Sequence, residues 1–141
     1  MHQPTVLRSL HLQSPTWQNA EHVSRNVQVF AEYCSSQYSI TRHRISSGEA
    51  LPPRGGLWFD VRVNKFQTVP NDCYVRWRIT NTGAVAMALN KGCGGFEKPI
   101  DAYRRWESLE YRGVHMAEAF IIRKADNRLV GFSDPFYVVI Q

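Results

Sequence analysis

The sequence predicts an all-β chain folded as an antiparallel β-sandwich, Ig-like in the loose sense, with room for at most one short helix. Three observations carry this. Residues 57–64 and 74–80 alternate apolar and polar side chains with period two, the mark of strands with one buried face. Short segments rich in β-forming residues recur at roughly eight- to twelve-residue intervals, the spacing of sandwich strands. Gly, Pro, Asn and Asp punctuate the intervals between them.

Taken in order, residues 1–16 are expected to form an N-terminal extension and residues 17–141 a single domain. Two patterns compete at its start. Trp17, Ala20, Val23, Val27, Phe30, Ala31 and Cys34 make a helical stripe beginning at Ser14-Pro15, whereas Val27, Val29, Ala31 and Tyr33 make a strand, and periodicity does not choose between them. Ser46-Ser47-Gly48 and Pro52 to Gly56 are connection chemistry. The first unambiguous strand follows, with Leu57, Phe59, Val61 and Val63 inward and Trp58, Asp60, Arg62 and Asn64 outward. After a turn through Thr68 to Asp72, the run from Tyr74 to Thr80 places Val75, Trp77 and Ile79 inside and Tyr74, Arg76, Arg78 and Thr80 on the other face. Asn81-Thr82-Gly83 then reads as a turn. Ala84 to Leu89 reads as a short strand running into the glycine-rich stretch from Lys91 to Phe96, whose glycines exclude a helix interior. Pro99 to Glu107 has room for one helical turn and otherwise reads as a loop. Met116 to Ile122 and Leu129 to Phe132 form a hairpin around Asp126-Asn127, and Ser133-Asp134-Pro135 turns the chain into a last strand, Phe136 to Ile140.

Composition narrows the function classes. The 141 residues are 43% hydrophobic and 21% charged, which excludes collagen-like and strongly charged disordered chains. A domain of this size buries roughly two-thirds of its unfolded surface and needs no metal or disulfide to hold it. The apolar runs fall far short of the roughly 18 residues of a membrane span, and the start at Met1-His2-Gln3-Pro4 lacks a secretion signal, so a soluble protein with a cytoplasmic address is expected. Cys34, Cys73 and Cys93 are odd in number without a C-x-x-C pair and are expected to pack as small apolar side chains. The five histidines lack ligand spacing, so no metal and no cofactor is expected. Cys93 with His115 is the one thiol–imidazole couple available. No third orienting group accompanies it, so the expectation is a protein that is not an enzyme. Seventeen Lys and Arg against twelve Asp and Glu leave a net charge of +5, which favours an anionic partner.

The ordered series Leu57-Trp58-Phe59, Val75-Arg76-Trp77-Arg78-Ile79-Thr80-Asn81-Thr82-Gly83-Ala84, Gly94-Gly95-Phe96-Glu97, Glu110-Tyr111-Arg112-Gly113-Val114-His115 and Glu118-Ala119-Phe120-Ile121-Ile122 resembles the adenylyl/guanylyl cyclase and SMODS carboxyl-terminal sensor domain. The resemblance covers about Trp17 to Ile140 and is most specific from Leu57 onward. It implies a non-catalytic domain that senses a nucleotide or nucleotide-derived signal in bacterial antiphage defence. A nucleotidyltransferase or cyclase, or an effector protein, is the partner it implies. No Gly-Ser dipeptide followed by the spaced aspartates of a nucleotidyltransferase precedes it here. Cys93 stands where the resemblance leads one to expect arginine.

A small anionic ligand of this class needs amides or guanidinium forks for phosphate and flat faces for a base. The residues that offer these are Lys91, Gly94, Arg104, Arg105, Trp106, Tyr111, Arg112 and His115, with Tyr103 as a further stacking surface. Glu107 and Glu110 can position Arg105 and Arg112. For His115 the reading favours a structural bridge to neighbouring backbone over a ligand contact, and for Trp77 a place in the core. The alternative function is a protein-interaction module that recognises a phage protein or a partner defence subunit, through Phe136 to Ile140 as an edge strand or through the Trp58 side of the first strand. Single-stranded nucleic acid on Arg76 and Arg78 is the least favoured partner, and no membrane contact is expected.

Overall fold

The computed structural model describes residues 14–81 and 95–141. The strand read at Ala84 to Leu89, Thr82-Gly83 of the turn, and Lys91 to Gly94 lie outside the described residues. Among the described residues there is no helix, and eleven strands follow one another: β1 Gln18–Ser24, β2 Val27–Cys34, β3 His43–Ile45, β4 Ala50–Leu51, β5 Gly56–Val63, β6 Cys73–Asn81, β7 Phe96–Glu97, β8 Arg105–Ser108, β9 Gly113–Arg123, β10 Arg128–Phe132 and β11 Phe136–Ile140. No helix long and apolar enough to cross a membrane is present among them. At the amino terminus the strand pattern prevails: β2 keeps Val27 and Ala31 inward, with Val29 and Tyr33 packed on the same core.

The first sheet is built on β9. Its partner β6 pairs with it from Cys73↔Arg123 to Asn81↔His115. The other edge of β9 is shared, by β10 against Phe120 to Arg123 and by β11 against Gly113 to Ala117. Then β7 adds to β6, β1 to β10 and β4 to β11. Both β1 and β4 run parallel to their partners, so this sheet is mixed where the sequence reading expects an antiparallel one. Each arrives over a connection too long to be a hairpin, which frees its direction. The second sheet has the order β3-β2-β5-β8 and is antiparallel throughout.

The core lies between the sheets. Leu57, Phe59 and Val61 of β5 face Val75 and Trp77 of β6, Ala117, Ala119 and Ile121 of β9, and Phe136 and Val138 of β11, all buried. Registers place Trp77 beside Ala119 and Ile79 beside Ala117, so large side chains fill the space that small neighbours leave. The outer face of β9 is also covered, because Phe120 and Ile122 pack with Trp17, Leu129 and Phe96. A bulge between Leu129 and Gly131 in β10 lets Leu129 and Phe132 serve that outer cluster while Val130 serves the main core.

Four sequence expectations change. Arg105–Ser108 is a strand, not a loop or helical turn, because Trp106 pairs across to Trp58 in the β5–β8 ladder. Trp58, on the polar face of β5, is nonetheless buried, with Trp106 and Arg104 over it and its indole N–H donating to the Gln37 carbonyl at 2.9 Å. Thr80 and Asn81 are buried, and Asn81 still belongs to β6. Finally β11 is not an edge: residues 47–51 cover it, with Gly48 N–H donating to Tyr137 O at 2.7 Å and Val139 N–H to Glu49 O at 3.2 Å.

The junction between β10 and β11 is a ladder interrupted by Pro135, which has no N–H. Buried Ser133 bridges it: its N–H donates to Ala119 O and its hydroxyl accepts from Ala119 N–H, both at 3.0 Å. Ser133→Ala leaves that buried amide without a partner and is expected to lower unfolding stability by about 1–3 kcal/mol, measured by urea denaturation.

Candidate ligand-binding cleft

At one end of the sandwich the apolar inward positions give way to polar ones. In β6 the inward parity of Val75 and Trp77 continues to Ile79 and Asn81, and in β9 the parity of Ala117 and Ala119 runs back to His115. Opposite them, β8 alternates Arg105 and Glu107 against Trp106. Ile79, Asn81, His115, Arg105 and Glu107, with Glu97 of β7, Ser108 at the end of β8, and Glu110 and Tyr111 after it, line a cleft of about 280 Å³. The segment that carries β8 is tied to the core by the Trp77 indole N–H, which donates to Tyr103 O at 2.9 Å.

Arg105 is clamped along the wall. Its Nε donates to Glu107 Oε2 at 2.8 Å, its Nη1 to the Lys98 carbonyl at 3.1 Å, and its Nη2 lies 3.4 Å from Glu97 Oε2. Burial pushes the Glu107 carboxyl above its ordinary range, and the Arg105 guanidinium opposes that rise. His115 is buried, and its Nε2 donates to the Tyr111 carbonyl at 3.1 Å, which fixes the proton on Nε2 and leaves Nδ1 as an acceptor in the neutral ring. Burial holds its pKa below the ordinary histidine value, against the smaller pull of that hydrogen bond. Three glutamates face one arginine, so the described lining carries an excess of negative charge while the carboxylates are ionised.

The eight sequence-selected residues therefore separate. Arg105, Tyr111 and His115 meet in the cleft. Arg104 and Trp106 do not: Arg104 pairs with Asp101 and lies 4.5 Å from the Trp58 ring, and Trp106 sits 5.5 Å from Trp58, on the far side of the second sheet. Arg112 is exposed and has no carboxylate partner among the described residues. Lys91 and Gly94, and Cys93 of the thiol–imidazole couple, lie outside the described residues. Sequence reasoning missed Asn81 and Glu97 as lining groups. For Asn81 the signal was present, since it shares the parity of Trp77 and Ile79.

A family model matches residues 8–141, nearly the whole chain. The chain belongs to the Adenylyl/Guanylyl and SMODS C-terminal sensor domain family. This sensor domain finds no significant match among curated proteins or solved structures. Its two described cysteines, Cys34 and Cys73, are buried free thiols, and burial first, then the Asp72 carboxylate, pushes Cys73 up to about 11. Neither has the lowered pKa of a reactive thiol. No three His, Cys, Asp or Glu side chains among the described residues are grouped to hold a metal ion.

His115 gives the sensor domain a pH dependence of definite sign. Its folded pKa lies below the 6.5 of the free side chain. The unfolded chain therefore binds more protons just below that value, so the stability due to neutral His115 is complete above pH 6.5 and is lost as pH falls through the folded pKa. Chemical denaturation of wild type and His115→Gln across this range is expected to show the wild type losing more stability on acidification, and parallel curves would contradict it.

Proposed function

We propose that this sensor domain is non-catalytic and binds a nucleotide or nucleotide-derived signal in its end cleft, and that it serves cytoplasmic antiphage defence beside a nucleotidyltransferase, cyclase or effector protein. The observation that supports the reading is the convergence of Arg105, Tyr111 and His115, far apart in kind and drawn from three segments, on one cleft. Membership of a sensor-domain family supports a sensing role for the chain. The chemistry of the lining favours the base and ribose over the phosphates as the buried part of the ligand. Carboxylates of Glu107 and Glu110 accept from hydroxyl and amino groups, His115 Nδ1 accepts as well, and Tyr111 offers a ring. Arg105 already spends its fork on Glu107, Glu97 and Lys98 O, so the phosphates belong at the mouth, where exposed Arg112 follows Tyr111 in the chain.

Signal transmission then requires that the ligand bind one arrangement of the cleft better than another, since only that difference shifts an equilibrium. Titration calorimetry with nucleosides and with mono-, cyclic mono- and cyclic dinucleotides tests the reading. At least one nucleotide class is expected to release heat and raise the melting temperature. Tyr111→Ala is expected to weaken that binding by about tenfold, the loss of one stacking face, with Arg104→Ala unchanged. Absence of both heat and melting shift for every compound overturns the small-ligand reading.

A further inference from the structure

The outer face of the second sheet carries a second concavity that shares no residue with the cleft. Phe30 and Glu32 of β2, Arg44 of β3, Trp58, Asp60 and Arg62 of β5, together with Arg104 and Phe66, bound a groove of about 160 Å³. Phe66 is 77% exposed, and its ring stacks on Phe30 at 6.4 Å. It is presented by a tight turn in which Val63 and Gln67 exchange both backbone hydrogen bonds, at 2.8 and 2.9 Å. Two consecutive residues other than glycine inside that turn, Asn64 and Lys65, have φ of 48° and 80°, a conformation that side chains with a Cβ disfavour. Gln28 holds the turn by accepting from Lys65 N–H at 2.9 Å. This hydrogen-bonded turn holds a phenylalanine in water, which burial in the core of this chain does not explain.

The charges around this ring are uneven. Arg42 pairs with Glu32 at 3.6 Å, Arg62 with Asp60 at 3.0 Å, and Arg104 with Asp101. Arg44 lies over Phe30 at 5.0 Å and, although it stands opposite Glu32 in the β2–β3 ladder, makes no ion pair within hydrogen-bonding reach among the described residues. A guanidinium stacked on a ring keeps its N–H edge for a carboxylate, and aromatic and Arg side chains are the commonest anchors of protein interfaces. Arg42, Arg44, Arg62 and Arg104 stand against Glu32, Asp60 and Asp101, which leaves one positive charge, enough for a single carboxylate and not for the regularly spaced phosphates of a nucleic acid.

We propose that this face docks a short segment of a partner protein in which an aspartate or glutamate lies near a leucine- or phenylalanine-sized side chain. The carboxylate pairs with Arg44, and the apolar side chain enters the groove against Phe66 and the Arg104-capped Trp58. The proposal does not depend on the nucleotide reading.

The test uses the full chain on an array of short Ser/Gly peptides, each carrying one Asp with one Leu, Phe or Trp at varied separation, beside the same peptides with Lys for Asp. The Asp peptides are expected to be retained and their Lys counterparts not. By fluorescence polarisation, Phe66→Ser and Arg44→Ala are each expected to weaken the best peptide by about tenfold or more while keeping the wild-type melting temperature, and Tyr111→Ala is expected to leave it unchanged. Equal retention of Asp and Lys peptides, no retention, or undiminished binding by both variants overturns the proposal. So does displacement of the peptide by oligothymidylate with a steep salt dependence, which assigns the face to nucleic acid.

Discussion

Phe59 of the second sheet, lodged between Trp77 and Phe136 of the first at 6.1 and 6.0 Å, is the contact on which the remaining structure depends. It sets how far apart the sheets stand, and it is possible only because β9 supplies Ala117 and Ala119, both with no exposure, at the neighbouring inward positions. Aromatic pairs of this kind add about 0.5–1.5 kcal/mol each beyond the area they bury. Their position matters as much as their strength. Trp77 reaches out of this cluster to hydrogen-bond Tyr103 O, and so fixes where the chain enters β8. The cleft wall made by Arg105 and Glu107 follows from that anchor, so the polar end of the sandwich inherits its geometry from the apolar middle.

The parts of the fold that were legible in the sequence are those whose burial is decided within one strand. Period two in β5 and β6 follows from side chains that point alternately into and out of a single core. The same holds for β11, although not its place in the sheet, because the covering strand β4 has only two residues and leaves no pattern of its own. β8 was illegible for a different reason. Its inward residues, Arg105 and Glu107, face a cleft and not the core, so the alternation of Arg105-Trp106-Glu107-Ser108 has its one apolar residue on the outside. Trp58 is buried by Trp106 and Arg104, residues some fifty positions later, and no local period can report that. The candidate site was half legible by the same logic: proximity in the chain grouped Arg104 with Arg105 and Trp106, whereas a strand sends consecutive residues to opposite faces. The resemblance to a sensor family carried what periodicity could not.

The electrostatics make a parallel point. A chain of net charge +5 holds a cleft whose described lining is acidic, so the overall charge describes the field around the molecule and not the chemistry of its concavity. Within the cleft, burial acts on Glu107 and His115 alike by disfavouring the ionised form, raising one and lowering the other. The two shifts have opposite sign and the same cause. The described lining offers acceptors in its carboxylates, while its one arginine is already committed to Glu107, Glu97 and Lys98 O.

The two concavities meet at one short strand. Arg105 and Glu107 present one side of β8 to the cleft, and Trp106, on the other side, completes the cover of Trp58 beside the groove. Gly56, its neighbour in the β5–β8 ladder, shows how closely this cover is fitted, for a Cβ there would collide with the Trp106 ring and stand 2.8 Å from Glu107 O. Trp106 thus fits closely against both Gly56 and Trp58. The alternation that made the site hard to read from sequence is also what gives this strand two chemically different faces, an ionic one toward the cleft and an aromatic one toward Trp58.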